Sequence, residues 1–329
     1  MSAGGSSAGT VGSVRLPSAF EDYADESLAQ APAGGPGKNG RLEATVARPG
    51  DGPTRLIRDR VTVPYHLTGT LDTDPAPGLA TLIAQEPTGG VAQGDRHRMA
   101  IDAHPGARVH VTTQSATKVH SMAANYAHLD ASLRAAEGSY LEYIPGPTIV
   151  NEDARCLQTV SVDLADEAVV VVADVLVPDG LTDHEPFDFD HYHARVEAEY
   201  DGRLVCADAV DLRPDERNPR DLASIGEFSV VGSLYVFAPG KDGPVTDQAA
   251  KATADTHRPA LEPLVDALHD RIGADERVRA GVSRLPADAG AIVRLLGHRE
   301  ADVTELLREA WDELRHRTLG VGAPADRRY

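Results

Sequence analysis

The sequence predicts a mainly β fold with about two α-helices near the C-terminus, and three observations lead to this prediction. Short segments in which apolar and polar residues alternate follow one another from about residue 55 to residue 240. Turn-forming pairs such as Pro105-Gly106 and Asp201-Gly202 separate these segments. After residue 260 the apolar residues recur at the spacing of a helix face instead.

Residues 1–40 differ in composition from the rest of the chain, because they are rich in Gly, Ser, Ala and Pro. Such a segment offers few large apolar side chains to bury, so we expect a disordered or poorly ordered N-terminal extension. Directly after it, Leu42, Ala44 and Val46 alternate with polar residues and predict the first strand.

The central part of the chain predicts a series of further strands. Between Ala168 and Val177 the chain is almost continuously apolar, as expected for a strand that is covered on both faces. Alternating residues mark three other strands: Val109, Val111 and Thr113; Val160, Val162 and Leu164; and Val196, Ala198 and Tyr200.

Two helices are predicted in the last quarter of the chain, separated by one or two strands between Val282 and Leu296. In each helix the apolar residues lie three or four positions apart, so that they share one face. These residues are Leu261, Leu264, Val265, Leu268 and Ile272 in the first helix, and Val303, Leu306, Leu307, Ala310, Trp311 and Leu314 in the second.

The charge of the chain is strongly acidic, with 51 Asp and Glu against 32 Lys and Arg and a formal net charge of −19. Such a surface repels phosphate groups, which argues against nucleic acids and anionic membranes as partners. Carboxylates on this scale are typical of a protein adapted to high salt, where the Debye length shrinks to about 3 Å and repulsion is screened.

The expected compartment follows from what the sequence lacks. The segment from Met1 to Gly12 has neither a basic start nor an apolar run, and no stretch approaches roughly 18 consecutive apolar residues. Cys156 and Cys206 lie fifty positions apart in apolar surroundings, without metal-ligand spacing. We therefore expect a cytoplasmic protein with two buried free thiols.

Three acidic residues occupy positions where the pattern calls for apolar ones. Asp174 interrupts the apolar run up to Val177, Asp208 lies on the face shared by Cys206 and Val210, and Glu142 follows Leu141. An ionised carboxylate in a dry interior is costly unless it is paired, bound to a metal or in contact with water. These residues therefore either pair with Arg or backbone N–H groups, or line a polar channel or site.

His191 and His193 predict a possible metal site, because residues two apart share one face of a strand and imidazole binds Ni²⁺ or Zn²⁺. The acidic segment before them also allows a simple solvated loop. The chain has no G-x-S-x-G, Walker A or H-E-x-x-H motif, so the common hydrolase, nucleotide and zinc-protease sites are not indicated.

An ordered series of short motifs resembles the urease accessory D family, also called UreD or UreH. The matching segments are residues 89–96 (GGVAQGDR), 112–119 (TTQSATKV), 141–145 (LEYIP), 282–286 (VSRLP), 293–297 (VRLLG) and 311–315 (WDELR). Within them, the residues that carry the motifs are Gly90, Gly94, Thr113, Lys118 and Pro145. Together with the acidic composition, the resemblance is to a haloarchaeal type of this family.

The resemblance implies one domain over residues 41–329 with a large, multi-stranded, superhelix-like β structure and a few helices. It also implies a maturation factor that is not an enzyme, that forms a complex with an F-type accessory protein and a G-type GTPase, and that docks on urease apoprotein. Nickel would pass through it in transit, without a tightly bound cofactor. The implied nickel-conduit residues, which carry a carboxylate or hydroxyl, are Asp95, Thr117, Glu142, Asp174, Glu185 and Asp208.

The last helix is the expected partner-binding element, through an apolar face that an isolated chain would leave exposed. The residues concerned are Leu307, Trp311, Leu314 and Arg315. The sequence departs from the family pattern before Glu185, where His184 replaces a Gly and an expected Gly-Arg pair is missing.

Two other functions remain compatible with the sequence. One is an all-β glycoside hydrolase that uses Glu142 and Asp174 as its carboxylate pair, which requires both groups to face one cleft. The other is a purely structural β scaffold in which the acidic residues only cap turns.

Overall fold

A computed structural model describes residues 16–28, 37–178, 185–240 and 258–325, and these residues form a mainly β structure, as predicted. In chain order the strands are β1 (Asn39–Ala47), β2 (Arg55–Thr62), β3 (His66–Leu71), β4 (Ala80–Gln85), β5 (Arg96–Ala103), β6 (Arg108–Thr113), β7 (Thr117–Val119), β8 (Ala127–Ala135), β9 (Tyr140–Tyr143), β10 (Thr148–Val150), β11 (Arg155–Leu164), β12 (Val169–Pro178), β13 (His191–Tyr200), β14 (Arg203–Leu212), β15 (Val230–Phe237), β16 (Val278–Arg284) and β17 (Gly290–Gly297). The α-helices are α1 (Ser18–Ala24), α2 (Leu261–Ile272) and α3 (Glu300–Thr318), and a short 3₁₀ helix spans Pro286–Asp288.

Two sheets make up the body of the protein. The first, sheet A, has the strand order β14-β13-β11-β8-β5-β1-β2, and the second, sheet B, has the order β16-β17-β15-β12-β9-β6-β4-β3. From β4 to β13 the chain passes between sheet B and sheet A, and each pass stacks in parallel on the previous one. The result is a solenoid of about four coils, which agrees with the expected superhelix-like structure.

The parallel stacking places side chains of successive coils in rows between the sheets. Met99 of β5 pairs with Ala131 of β8, which pairs with Val160 of β11, which in turn pairs with Val196 of β13. All four belong to the apolar core between the two sheets. Since side chains alternate along a strand, the residues between them point out of this core.

A short third side completes the coils. Strand β7 pairs in parallel with β10, which pairs with the end of β12, and Val91 forms a bridge to Val119. Cys156 is buried in the apolar cluster next to this side, whereas Cys206 is buried in the core between the sheets. Both cysteines are free thiols, as predicted, and burial raises the pKa of Cys206 to about 11.

The outer face of sheet B is covered by the two C-terminal helices, and the predicted strands between them are β16 and β17. This layer contradicts the expectation that the last helix leaves an apolar face exposed. The four predicted partner-binding residues are all buried inside the chain: Leu307, Trp311, Leu314 and Arg315. Because sheet B already occupies this face, a partner docked on α3 would meet other residues.

The N-terminal prediction is also wrong in part, since helix α1 lies within the range 1–40 that was expected to be disordered. Phe20 of α1 is fully buried against Tyr126 and Leu157 on the outer face of sheet A. A Gly-rich average composition concealed these few aromatic side chains, which are enough to dock one short helix. Residues 1–15 and 29–36 lie outside the described residues.

No helix among the described residues is long and apolar enough to cross a membrane.

Candidate functional site

A row of polar side chains crosses the apolar core between the two sheets. Asp174 of β12 points into this core, and its register neighbours in sheet B are Ser233 of β15 and, beyond it, Arg294 of β17. In sheet A the row contains Gln158 of β11 and His97 of β5, which lie on either side of Leu129. Because these strands stack in register, their inward polar groups face one another at one level of the solenoid.

Asp174 is the central carboxylate of this row. Its Oδ1 accepts a hydrogen bond from Gln158 Nε2 at 2.8 Å, and the Tyr192 hydroxyl donates to its Oδ2 at 3.5 Å. Burial raises the pKa of Asp174 above its ordinary value, although these hydrogen bonds and the charge on Arg294 partly offset that effect. Asp174 is thus an interior carboxylate whose hydrogen-bonding partners are neutral.

Asp208 of β14 lies in the same interior but has a cationic partner. Its carboxylate forms an ion pair with Arg294 and accepts a hydrogen bond from the Tyr235 hydroxyl at 2.8 Å. Arg294 also donates to Ser233 Oγ at 2.5 Å, so one guanidinium joins sheet B to sheet A. The prediction that Asp174 and Asp208 each interrupt an interior face of their own strand therefore agrees with their positions, on sheet B and sheet A respectively.

A cavity of about 60 Å³ opens beside Gln158 at the other end of the row. Polar residues of both sheets and of their connections line it, among them Tyr65, Glu86, His97, Thr113, Thr117, Thr148 and Gln158. Burial lowers the pKa of His97 to about 4, and its Nε2 has no hydrogen-bonding partner among the described residues. A neutral imidazole with a free nitrogen and several hydroxyls can hold water or a weakly bound cation.

We call the combined set of residues the interior polar layer: His97, Thr113, Thr117, Thr148, Gln158, Asp174, Tyr192, Asp208, Ser233, Tyr235 and Arg294. It spans the coils from β5 to β14, which are four strand spacings or roughly 19 Å apart. Sequence reasoning identified its two acidic members and Thr117. Gln158 could have been found by the same signal, since it is a polar residue on the face of Val160 and Val162.

Glu142 does not belong to the interior polar layer, because it points from β9 to the opposite face of sheet B. There its Oε1 accepts hydrogen bonds from Trp311 Nε1 at 2.9 Å and from the Tyr140 hydroxyl at 2.8 Å. Burial favours a raised pKa, but the His110 ring 3.2 Å away and the charge on Arg315 keep the pKa of Glu142 below its ordinary value. In this position Glu142 anchors helix α3 to sheet B.

Asp95 lies outside the layer and holds together two segments of backbone. It accepts hydrogen bonds from Lys38 N at 2.6 Å and Ala92 N at 2.8 Å, and its carboxylate is 3.1 Å from Lys38 Nζ. The nearby motif residue Gly90 has φ +125°, and a Cβ there would lie 2.3 Å from the carbonyl oxygen of Lys118. Gly94, with φ +78°, completes the same turn before β5.

The other motif residues bring consecutive coils together. Thr113 Oγ1 accepts a hydrogen bond from Gly146 N at 2.8 Å, directly after Pro145, and Lys118 stands opposite Ile149 in the pairing of β7 with β10. These motifs are therefore explained by backbone packing next to the cavity. Glu185 is exposed and at the start of a turn closed by Asp188, and the departure at His184 lies outside the described residues.

His191 and His193 lie on the outer face of sheet A, away from the interior polar layer. The structure adds Asp211 to them, so that one potential ligand atom from each residue lies within 4.8 Å of the others. Asp211 stands opposite His193 in the β13–β14 hairpin. Sequence reasoning missed it, because the Asp201-Gly202 turn alone would place residue 210, and not Asp211, opposite His193.

Comparisons with known proteins agree with the motifs and the fold. A family model described as UreD urease accessory protein matches residues 38–328. The urease accessory protein UreD of Natronomonas pharaonis is 63% identical over 314 residues, covering 95% of this chain and 99% of that protein. The proteins of the same name from Haloquadratum walsbyi and Haloarcula marismortui are 51% and 43% identical over 309 and 311 residues.

These two alignments each cover 94% of this chain, and they cover 95% and 97% of the respective relatives. The three organisms are haloarchaea, in agreement with the halophilic character predicted from the acidic composition. Since both the family model and these relatives match nearly the whole chain, it belongs to the UreD family of urease accessory proteins.

Proposed function

We propose that this protein is a urease maturation factor that passes nickel along its interior polar layer and catalyses no covalent step. The relatives named urease accessory protein UreD support the first part. The observation that carries the second part is Asp174, an interior carboxylate that is hydrogen-bonded by neutral Gln158 and Tyr192. A divalent cation would supply the positive charge that these partners do not.

The ligand chemistry of the layer suits an ion in transit. Carboxylate, hydroxyl and amide oxygens bind Ni²⁺ more weakly than a closed set of imidazoles or thiolates, so the ion can leave as well as enter. The cavity beside His97 and Thr113 would admit the ion at one end once it has lost most of its hydration shell. Asp174, which lies two strand positions beyond Thr113 in sheet B, would then receive it.

Asp208 is a conditional member of the route because Arg294 occupies its carboxylate. Nickel must displace this guanidinium before Asp208 can bind it. Ser233, already a hydrogen-bonding partner of Arg294, offers the guanidinium an alternative contact when the ion passes. The roles of Asp95, Glu142 and Glu185 in conduction are not supported by their positions, since all three lie outside the layer.

The proposal includes the partners that the family resemblance implies, namely urease apoprotein, an F-type accessory protein and a G-type GTPase. It also places the protein in the cytoplasm, where its two buried free cysteines suit a reducing environment. The partner surface must use residues other than the buried face of α3, which sheet B covers.

The glycoside hydrolase alternative is disfavoured by the faces of sheet B. Asp174 points between the sheets, whereas Glu142 points towards α3, so the two carboxylates cannot flank one glycosidic bond. A purely structural scaffold remains as the second candidate. It differs in predicting that neutral replacements of Asp174 leave nickel delivery unchanged.

The experiment is urease activation by the reconstituted accessory set in high salt, with Asp174→Asn and Asp208→Asn compared with the wild type. Asp163→Asn is the matched control, because Asp163 is an exposed residue of β11. We expect both interior variants to lower activation and the nickel content of urease while the complex still forms. If activation equals that of the wild type in Asp174→Asn, the conduit is wrong and the protein is a scaffold.

A further inference from the structure

A second group of potential metal ligands lies on the outer face of sheet A, separate from the interior polar layer. His191 and His193 of β13 are joined by Asp211 of β14, whose Oδ1 is 2.7 Å from His191 Nε2 and 3.4 Å from His193 Nδ1. Two imidazoles and one carboxylate on paired strands form a fixed, three-sided donor set. The strands hold the donors in place better than a loop would.

The imidazole nitrogens of this group are poorly satisfied. His193 is buried, yet neither its Nδ1 nor its Nε2 has a hydrogen-bonding partner among the described residues, and the same holds for His191 Nδ1. Buried polar atoms without a partner cost free energy, so native proteins rarely leave several together. A cation held between His191 Nε2, His193 Nδ1 and Asp211 Oδ1 would use the lone pair of His193 Nδ1, which otherwise has no hydrogen-bonding partner among the described residues.

The distances fit a small divalent cation. Imidazole nitrogens and carboxylate oxygens bind such ions at about 2.0–2.2 Å, so tetrahedral ligand atoms lie roughly 3.3 Å apart. The separation of His193 Nδ1 from Asp211 Oδ1 already has this value, at 3.4 Å. The pair of His191 Nε2 and Asp211 Oδ1, at 2.7 Å, has to open by a few tenths of an ångström, as a metal replaces the proton between them.

Helix α1 covers this group on one side, while solvent reaches it from another. The Phe20 ring is 4.4 Å from the His191 ring and 6.1 Å from the His193 ring, and the Tyr23 ring is 5.8 Å from that of His191. Asp211 keeps 43% of its side chain exposed, which provides an entry path for an ion. The site is therefore covered by aromatic rings on one side, and its carboxylate is exposed to solvent on the other.

One charged neighbour opposes a cation. Arg213 Nε is 3.3 Å from His191 Nε2, and an Arg213 amino group is 3.4 Å from Asp211 Oδ2. Arg213 also contacts Glu216 at 3.3 Å, and this residue is mostly exposed. The guanidinium therefore has a second partner and can move aside when a metal binds.

We propose that His191, His193 and Asp211 bind one divalent transition-metal ion of the Ni²⁺ or Zn²⁺ class under the cover of helix α1. This site is independent of the proposed function and of the interior polar layer, which faces the other side of sheet A. Imidazole ligands hold such ions more tightly than oxygen ligands do. The ion would therefore be resident and would join strands β13 and β14 beneath the rings of Phe20 and Tyr23.

The test uses the full-length, metal-free protein and Co²⁺ as the probe, because Co²⁺ bound by nitrogen and oxygen in a tetrahedral site has visible d–d absorption. We expect one equivalent of Co²⁺ to give this spectrum, and Ni²⁺ or Zn²⁺ to displace it. Asp211→Asn and His193→Ala should weaken binding by about tenfold or more. His66→Ala, which removes an exposed histidine from β3, should have no effect.

Two further variants distinguish metal binding at this site from a structural role and from the nickel conduit. Arg213→Gln should tighten Co²⁺ binding, because it removes the opposing charge, whereas a purely structural cluster gives no such gain. Asp174→Asn should leave Co²⁺ binding unchanged, which separates this site from the nickel conduit. Equal Co²⁺ spectra and affinities in the wild type, Asp211→Asn and His193→Ala would overturn the proposal.

Discussion

The indole Nε1 of Trp311 donates a hydrogen bond of 2.9 Å to Oε1 of Glu142, and both residues are buried beneath helix α3. Trp311 is the only tryptophan of the chain, and its ring also stacks on that of His110, with centroids 5.1 Å apart. A carboxylate predicted to conduct metal thus serves as the anchor that joins the last helix to sheet B.

The first prediction concerns this carboxylate and pH. Because the folded-state pKa of Glu142 lies below its ordinary value of 4.5, the ionised group stabilises the fold fully above that pH. The contribution is lost as the pH falls through the lowered pKa. We therefore expect Glu142→Gln to be less stable than the wild type at neutral pH, and to show a shallower loss of unfolding free energy below about pH 5.

Urea unfolding at a series of pH values and constant high salt measures this dependence. Glu137→Gln, at an exposed turn, is the control and should follow the wild-type curve. If the unfolding free energies of Glu142→Gln and the wild type depend on pH in the same way, the ionised Glu142 carboxylate does not stabilise the fold.

The second prediction concerns Asp74 and Arg315, which form a fully buried ion pair through two contacts of 3.1 and 2.5 Å. Asp74→Asn should destabilise the protein by about 3 kcal/mol or more, because it leaves a guanidinium with less compensating charge in the interior. Combining it with Arg315→Met removes that charge, so the double variant should lose less than the sum of the single losses. Additive losses in thermal unfolding would show that the pair is not coupled.

The third prediction compares two adjacent glycines of the turn before β5. Gly89 has φ +83° with open space at the Cβ position, whereas a Cβ on Gly90 would contact the carbonyl oxygen of Lys118. Gly89→Ala should cost about 1–2 kcal/mol for its backbone conformation alone. Gly90→Ala should cost clearly more, since strand β7 must also shift. Equal midpoints of urea unfolding for the two variants would contradict this reading of the motif.

The fourth prediction concerns Asp174 and asks whether its carboxylate stabilises the fold or is instead available for nickel transfer. The pKa of Asp174 is raised above its ordinary value of 3.8, so the ionised carboxylate destabilises the folded state at neutral pH. Asp174→Asn should therefore be as stable as the wild type or more stable at pH 7, and this advantage should vanish below about pH 4.

Asp208→Asn provides the contrast, because it removes the ion-pair partner of Arg294 and should lower stability by about 1 kcal/mol. Differential scanning calorimetry at both pH values decides the matter. A marked loss of stability in Asp174→Asn at pH 7 would mean that this carboxylate has a structural role.

Local sequence patterns predicted strands in the central part of the chain, the two late helices, and the interior positions of the carboxylates of Asp174 and Asp208. The face of Glu142 could not be predicted, because both faces of sheet B are buried and alternation cannot tell the core from the layer under α3. The same ambiguity explains the error at Trp311 and Leu314. An apolar helix face looks the same in sequence whether it meets its own sheet or a partner.

Asp211 was missed for a different reason. Near the Asp201-Gly202 turn, Tyr200 pairs with Arg203, but a bulge after Ala198 adds one residue to β14. Without the bulge, position 210 would face His193 and Asp211 would point to the other side of the sheet. Only the register in three dimensions brings this carboxylate to the histidines.

The stacked coils also determine where this chain can change in length. An extra residue in a turn between coils leaves every row of side chains in place, whereas one extra residue inside β12 before Asp174 would exchange the two faces of the strand from that point on. Asp174 would then point towards the helices, and the residue before it would take its place in the row. Insertions in the loops are therefore tolerated, whereas a single-residue insertion in a strand reverses the alternation of its inward and outward side chains.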